Sequence, residues 1–139
     1  MKIKRETFIE DFVQTAIMHV EAFNVTTFGY SFAEIDTAHK LANKLSVRLR
    51  KLADFLAQDP VFAKDTLDRL VLNTNPHVMF ATAGVLWEFN YRMEDCYRLF
   101  EKVLEKGKKE TMALIAANNF YLAIKEGRLK RRKEFPKLG

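Results

Sequence analysis

The chain has 139 residues, with 23 Lys and Arg against 18 Asp and Glu, a formal net charge of +5 and one cysteine, Cys96. That length can bury a core without staples, a lone thiol excludes an intrachain disulfide, and the lack of an 18-residue apolar run excludes a membrane-spanning helix. The opening stretch MKIKRETFIEDF alternates charged and apolar residues instead of forming a secretory signal, so a cytoplasmic location is expected.

With five Gly and three Pro, and apolar residues returning every three or four positions, the chain reads as all-α. The pattern predicts a first helix from the capping box Thr7 to Glu10, carrying Phe8, Phe12, Ala16 and Val20 in one row with Ile9, Val13 and Ile17 beside it. NVTTFGY interrupts the pattern. Ser31 to Glu34 then starts a helix of about seven turns, whose seam is Ile35, Ala38, Leu41, Leu45, Leu49, Leu52 and Leu56.

Asp59 with Pro60, and Asn75 with Pro76, each supply an N-cap followed by a first-turn proline. They frame a short helix carrying Phe62, Leu67, Leu70 and Val71, followed by the nearly all-apolar helix NPHVMFATAGVLWEF. The next helix turns Met93, Cys96, Phe100, Val103 and Leu104 inward and ends at Gly107. The last, ETMALIAANNFYLAIKEG, is again apolar and ends at Gly127. Six helices are expected.

A shift of 33 residues lays Leu67, Leu70 and Val71 on Phe100, Val103 and Leu104. A shift of 34 lays Val78, Thr82, Leu86 and Phe89 on Met112, Ala116, Phe120 and Ala123. Paired helices with a period in the thirties are the mark of an α-solenoid. The stretch from Asn75 resembles the second helix of a HEAT repeat, with Pro76, Val78, Thr82, Ala83 and Leu86 in the expected places. Met79 stands where arginine is usual, and Trp87 where a small residue is common.

The chain as a whole is similar to short bacterial HEAT-like proteins, and to small α-helical toxin-immunity proteins. The resemblance implies an α-α superhelix: a helical hairpin over 7–58, two HEAT-like repeats over 59–127, and a basic tail over 128–139. It also implies a non-enzymatic protein-binding module that neutralises a cognate bacterial toxin by occlusion.

In such a solenoid the second helix of each pair lines the inner surface, which places Phe80, Gly84, Trp87 and Tyr91 on one side of the apolar helix. Leu114, Asn118, Tyr121 and Lys125 hold the matching places in the last helix. Phe80, Trp87, Tyr91 and Tyr121 are thus candidate anchors for a protein partner, with Asn118 supplying an amide. The competing reading is a compact bundle in which the first two helices cover these rings.

Lys40, Lys44, Arg48 and Lys51 form a stripe on the second helix that could steer an acidic partner; a solvated face is the simpler reading. The tail holds six of the basic residues and one acidic residue, leaving 17 of each in the rest of the chain. It reads as a free solubilising end, although with the stripe it also suggests the alternative of a nucleic-acid-binding repeat. A homodimer joined through the rings is a third reading.

His19, His39 and His77 have no metal-ligand spacing, and no nucleophile grouping or phosphate loop is present. Neither an enzyme nor a metal or other cofactor is expected. Asp65 with Arg69, and Glu94 with Arg98, read as helix-surface ion pairs.

Overall fold

The computed structural model describes residues 4–24, 32–106, 112–132 and 135–138. Among them are six α-helices and no strand: α1 (Arg5–Asn24), α2 (Phe32–Ala57), α3 (Pro60–Leu70), α4 (Pro76–Glu88), α5 (Met93–Lys106) and α6 (Met112–Lys125). The expected starts and stops at Ser31 and Gly107 lie outside the described residues.

Two helix starts follow directly from local sequence. The Asp59 carboxylate accepts the Phe62 amide at 3.1 Å, and the Asn75 side chain accepts the amides of His77 at 2.9 Å and Val78 at 3.4 Å. Each cap precedes a proline whose missing N–H would have had no helical partner. Thr7, by contrast, is not an N-cap. The Phe8 amide already closes a helical turn on the Lys4 carbonyl at 3.0 Å, which leaves Thr7 inside the helix without the extended backbone that a cap requires.

Two helix ends use the left-handed conformation. At the end of α6, Gly127 has φ 70°, and the Arg128 amide reaches the Ala123 carbonyl at 2.9 Å. The end of α4 repeats the device with Asn90 at φ 48° and the Tyr91 amide on the Leu86 carbonyl at 3.0 Å. Glycine and asparagine are the residues that tolerate this backbone, and the six-to-one bond satisfies a carbonyl that the helix leaves open.

At 1.5 Å per residue α2 is about 39 Å long, and only its C-terminal half reaches the main core. Its N-terminal half meets α1 through Ala22, Ala42 and Leu45. Ala42, not Leu41, turns inward there, and Leu41 is exposed. Phe8, Phe55 and Phe62 then join α1, α2 and α3 in one aromatic cluster, with centroid separations of 5.6 to 5.9 Å.

α4 is the centre of the molecule, touching α1, α3 and α5. Seven of its residues, Val78, Met79, Thr82, Ala83, Val85, Leu86 and Trp87, are buried, which explains a helix with almost no polar face. At about 1.5–3 kcal/mol for each large apolar side chain removed from water, this helix contributes more per residue than the half-wet α2.

Helix α1 lies against α2, α3, α4 and α6, so the hairpin folds back over the later helices. The ion pairs follow that packing. Asp65 pairs with Arg5 at 3.2 Å and Arg69 with Glu6 at 3.5 Å, tying α3 to α1 in place of the expected pair within α3. Arg98 pairs with Asp95 at 3.0 Å, not with Glu94.

Candidate protein-binding surface

The five candidate binding residues separate into covered and open ones. Trp87 is 6% exposed and Tyr121 7%, so neither ring is available to a partner on this surface. Trp87 packs edge-on against Phe120 at 5.7 Å, and Tyr121 stacks on Phe100 at 5.5 Å and donates to Glu101 at 2.7 Å. Burial is the first cause, and the Glu101 bond the second, of a phenol pKa pushed up to about 12.

Phe80 and Tyr91 are half-buried. Phe80 packs on Phe100 at 6.1 Å, while the Tyr91 hydroxyl donates to Asp68 at 2.7 Å. Arg92 donates to the same carboxylate at 2.8 Å, so this pair fastens the α4–α5 turn to α3. Burial, followed by the Asp68 bond, raises the Tyr91 pKa. Asn118 is exposed, and Leu114 lies outside the described side chains.

The cover over Trp87 is the segment expected to hang free. After α6 the chain turns back along α4, with the Arg131 guanidinium lying 5.0 Å over the Trp87 ring and donating to the Trp87 carbonyl. Arg132 reaches Asp54 on α2 at 3.1 Å and Glu88 on α4 at 3.4 Å. Phe135 packs on Phe89 at 4.9 Å, and the Leu138 amide donates to the Phe89 carbonyl at 2.9 Å. This strap is attached by buried apolar side chains as much as by charge. A sequence reading weighted toward its cations passes over Phe135 and Leu138, the pair that carries the signal.

The helix-two stripe also divides. Lys40 pairs with Asp36 at 3.3 Å, and Arg48 holds Asp11 of α1 with two nitrogens. Lys44 and Lys51 are exposed, with no ion pair among the described residues. Two of the four cations therefore stay available for steering, while Arg48 ties the hairpin together.

Beside the stripe an open groove of about 230 Å³ runs between α2 and α4. Ser46, Arg50 and Ala53 form one wall, Ala81, Gly84 and Glu88 the other, and Phe12, Leu49 and Val85 lie between, with Phe120 and Arg132 completing the lining. Each wall repeats at helical spacing, one position every three or four residues. Small side chains at Ser46, Ala53, Ala81 and Gly84 leave room for the groove: a Cβ placed on Gly84 would meet nothing within 4 Å.

Cys96 is buried, donates to the Ala83 carbonyl at 3.2 Å, and has its thiol pKa pushed up to about 12 by burial. It serves as a core residue; the reactive form is the thiolate. Among the described residues no group of three His, Cys, Asp or Glu is placed to hold a metal ion, and no helix is long and apolar enough to cross a membrane.

The chain belongs to the all-α class. No family model, curated protein or solved structure matches it.

Proposed function

We propose that this protein is a non-enzymatic protein-binding module, and that its role is to bind and neutralise a cognate bacterial toxin by occlusion. The observation that carries the binding reading is the open α2–α4 groove. Its volume of about 230 Å³ lies below the roughly 300–1,000 Å³ of small-molecule sites and suits one or two anchoring side chains of a protein partner. Apolar residues line its base, Arg50 and Arg132 flank it, and Lys44 and Lys51 lie exposed on the same helix as Arg50. Apolar anchoring with a charged surround is the usual division of labour at protein interfaces.

The toxin-specific part of the proposal comes from the family resemblance. The nucleic-acid alternative is weakened by the engagement of Arg131 and Arg132 within the fold. The test is capture from nuclease-treated host lysate by the wild-type chain and by Gly84→Leu, followed by reconstitution with the purified partner. The expected result is a one-to-one complex that silences the partner and is lost when leucine fills the groove. Capture that vanishes with nuclease, or a complex indifferent to Gly84→Leu, would overturn the reading.

A further inference from the structure

Only three residues lining the α2–α4 groove are charged, Arg50, Arg132 and Glu88, and they are unequally engaged. Arg132 reaches Asp54 at 3.1 Å and Glu88 at 3.4 Å, so the one carboxylate in the lining is already matched. Arg50 is exposed and makes no ion pair or hydrogen bond among the described residues. Its neighbours one turn away on the same wall, Ser46 and Ala53, are small.

Asp54 stands four residues after Arg50, a spacing at which the two charges face each other on a helix, yet they do not pair. Asp54 is taken instead by Arg132, which arrives from the strap and lies 4.1 Å over the Phe135 ring. One guanidinium thus holds a carboxylate from each helix, Asp54 on α2 and Glu88 on α4, and Arg50 is left as the groove's unneutralised charge. Beside it lies the apolar base of Phe12, Leu49 and Val85.

We infer that the groove takes an apolar side chain of the protein partner that stands next to an Asp or Glu, with Arg50 binding the carboxylate and Arg132 as the positioning residue that keeps Asp54 away from it; the inference rests on the protein-binding reading above. The occupant follows from charge complementarity. A carboxylate matches the guanidinium fork with two parallel N–H donors. A basic occupant would be repelled by Arg50 and the exposed Lys51 beside it, and a neutral one would draw Arg50 out of water without a partner. Arg50 therefore decides which apolar anchors are accepted. Loss of Arg132 releases Asp54 to neutralise Arg50 from one turn away, so the strap sets the charge of a groove whose base it does not form.

The test pans a random-peptide phage library on the immobilised full chain and measures the enriched peptides, fluorescein-labelled, by anisotropy against wild type and variants. The expected peptides carry an aliphatic or aromatic residue next to Asp or Glu. Their affinity should fall at least tenfold in Arg50→Glu, an exposed position whose change leaves the circular dichroism spectrum intact. It should fall several-fold in Arg132→Ala and return when Asp54→Asn is added, whereas Asp54→Asn alone changes it little. That non-additive rescue separates positioning from a direct contact of Arg132 with the peptide. No enrichment, enrichment without Asp or Glu, or indifference to Arg50→Glu overturns the inference. The groove reading still stands in those cases if Gly84→Leu abolishes capture of the partner from lysate, so the two proposals fail separately. Affinity that Asp54→Asn does not restore overturns the role given to Arg132.

Discussion

Gly84→Ala should make the protein more stable, which is an uncommon outcome for a substitution in a central helix. Glycine within a helix costs about 1 kcal/mol relative to alanine, because the unfolded chain loses more freedom on folding. A buried glycine normally offsets that gain by packing against a neighbour, but here the added Cβ has nothing within 4 Å. The expected gain is therefore close to the full propensity difference, about 1 kcal/mol, or a rise in Tm of about 3–5 °C for a chain of this size. Urea denaturation followed by circular dichroism measures it as a higher midpoint with unchanged slope. Gly127→Ala supplies the opposite sign, since its φ of 70° would cost an alanine roughly 1 kcal/mol. Loss of stability in Gly84→Ala would mean that α2 and α4 meet at this point and that the groove is closed.

The strap makes Trp87, the only tryptophan, a reporter of its own cover. Removing residues 128–139 should shift its emission to the red, and Phe135→Ala should do so in part while costing about 2 kcal/mol in apolar burial; unchanged emission in both would refute the docked strap. Cys96 should resist iodoacetamide at pH 8 in the folded protein and react at once in urea; rapid labelling of the native chain would contradict its burial. Alkaline stability carries a defined sign. The folded thiol titrates near 12 against an ordinary 9.0, and the Tyr121 phenol near 12 against 10.0, so above pH 9 the unfolded chain sheds protons that the fold retains. Stability should hold below pH 9 and decline from 9 toward 12, with the earliest part of the decline absent in Cys96→Ala.

What was legible in the sequence divides by distance along the chain. Asp59–Pro60 and Asn75–Pro76 act within three residues, and their caps form as the local chemistry requires. The apolar rows of α1, α4 and α5 depend on helical periodicity and turn inward as expected. Trp87 depends on groups far away: its cover comes from Arg131, 44 residues later, and from Phe120, and no local pattern distinguishes a ring awaiting a partner from one awaiting its own chain. The ion pairs failed for the same reason. Arg69 has both Asp65 at helical spacing and Glu6 on α1 within reach, and only the packing of α1 on α3 decides between them. Asn118 stayed open because nothing in the described chain follows α6 in the way that α5 and α6 follow α4.

The placement of charge gives the two proposed contacts different physical roles. Lys44 and Lys51 are exposed on α2, where long-range attraction speeds encounter and is screened by salt. Phe12, Leu49 and Val85 in the groove are uncharged, so their proposed contribution appears after encounter, as slower dissociation. Lys44→Glu with Lys51→Glu should therefore lower the association rate of the purified complex several-fold at low salt while leaving dissociation nearly unchanged. Gly84→Leu should do the reverse, raising the dissociation rate at every salt concentration. Stopped-flow mixing and surface plasmon resonance separate the two rates. Equal effects of both variants on dissociation would show that the cations and the apolar groove belong to one buried contact, and the division between steering and anchoring would be wrong.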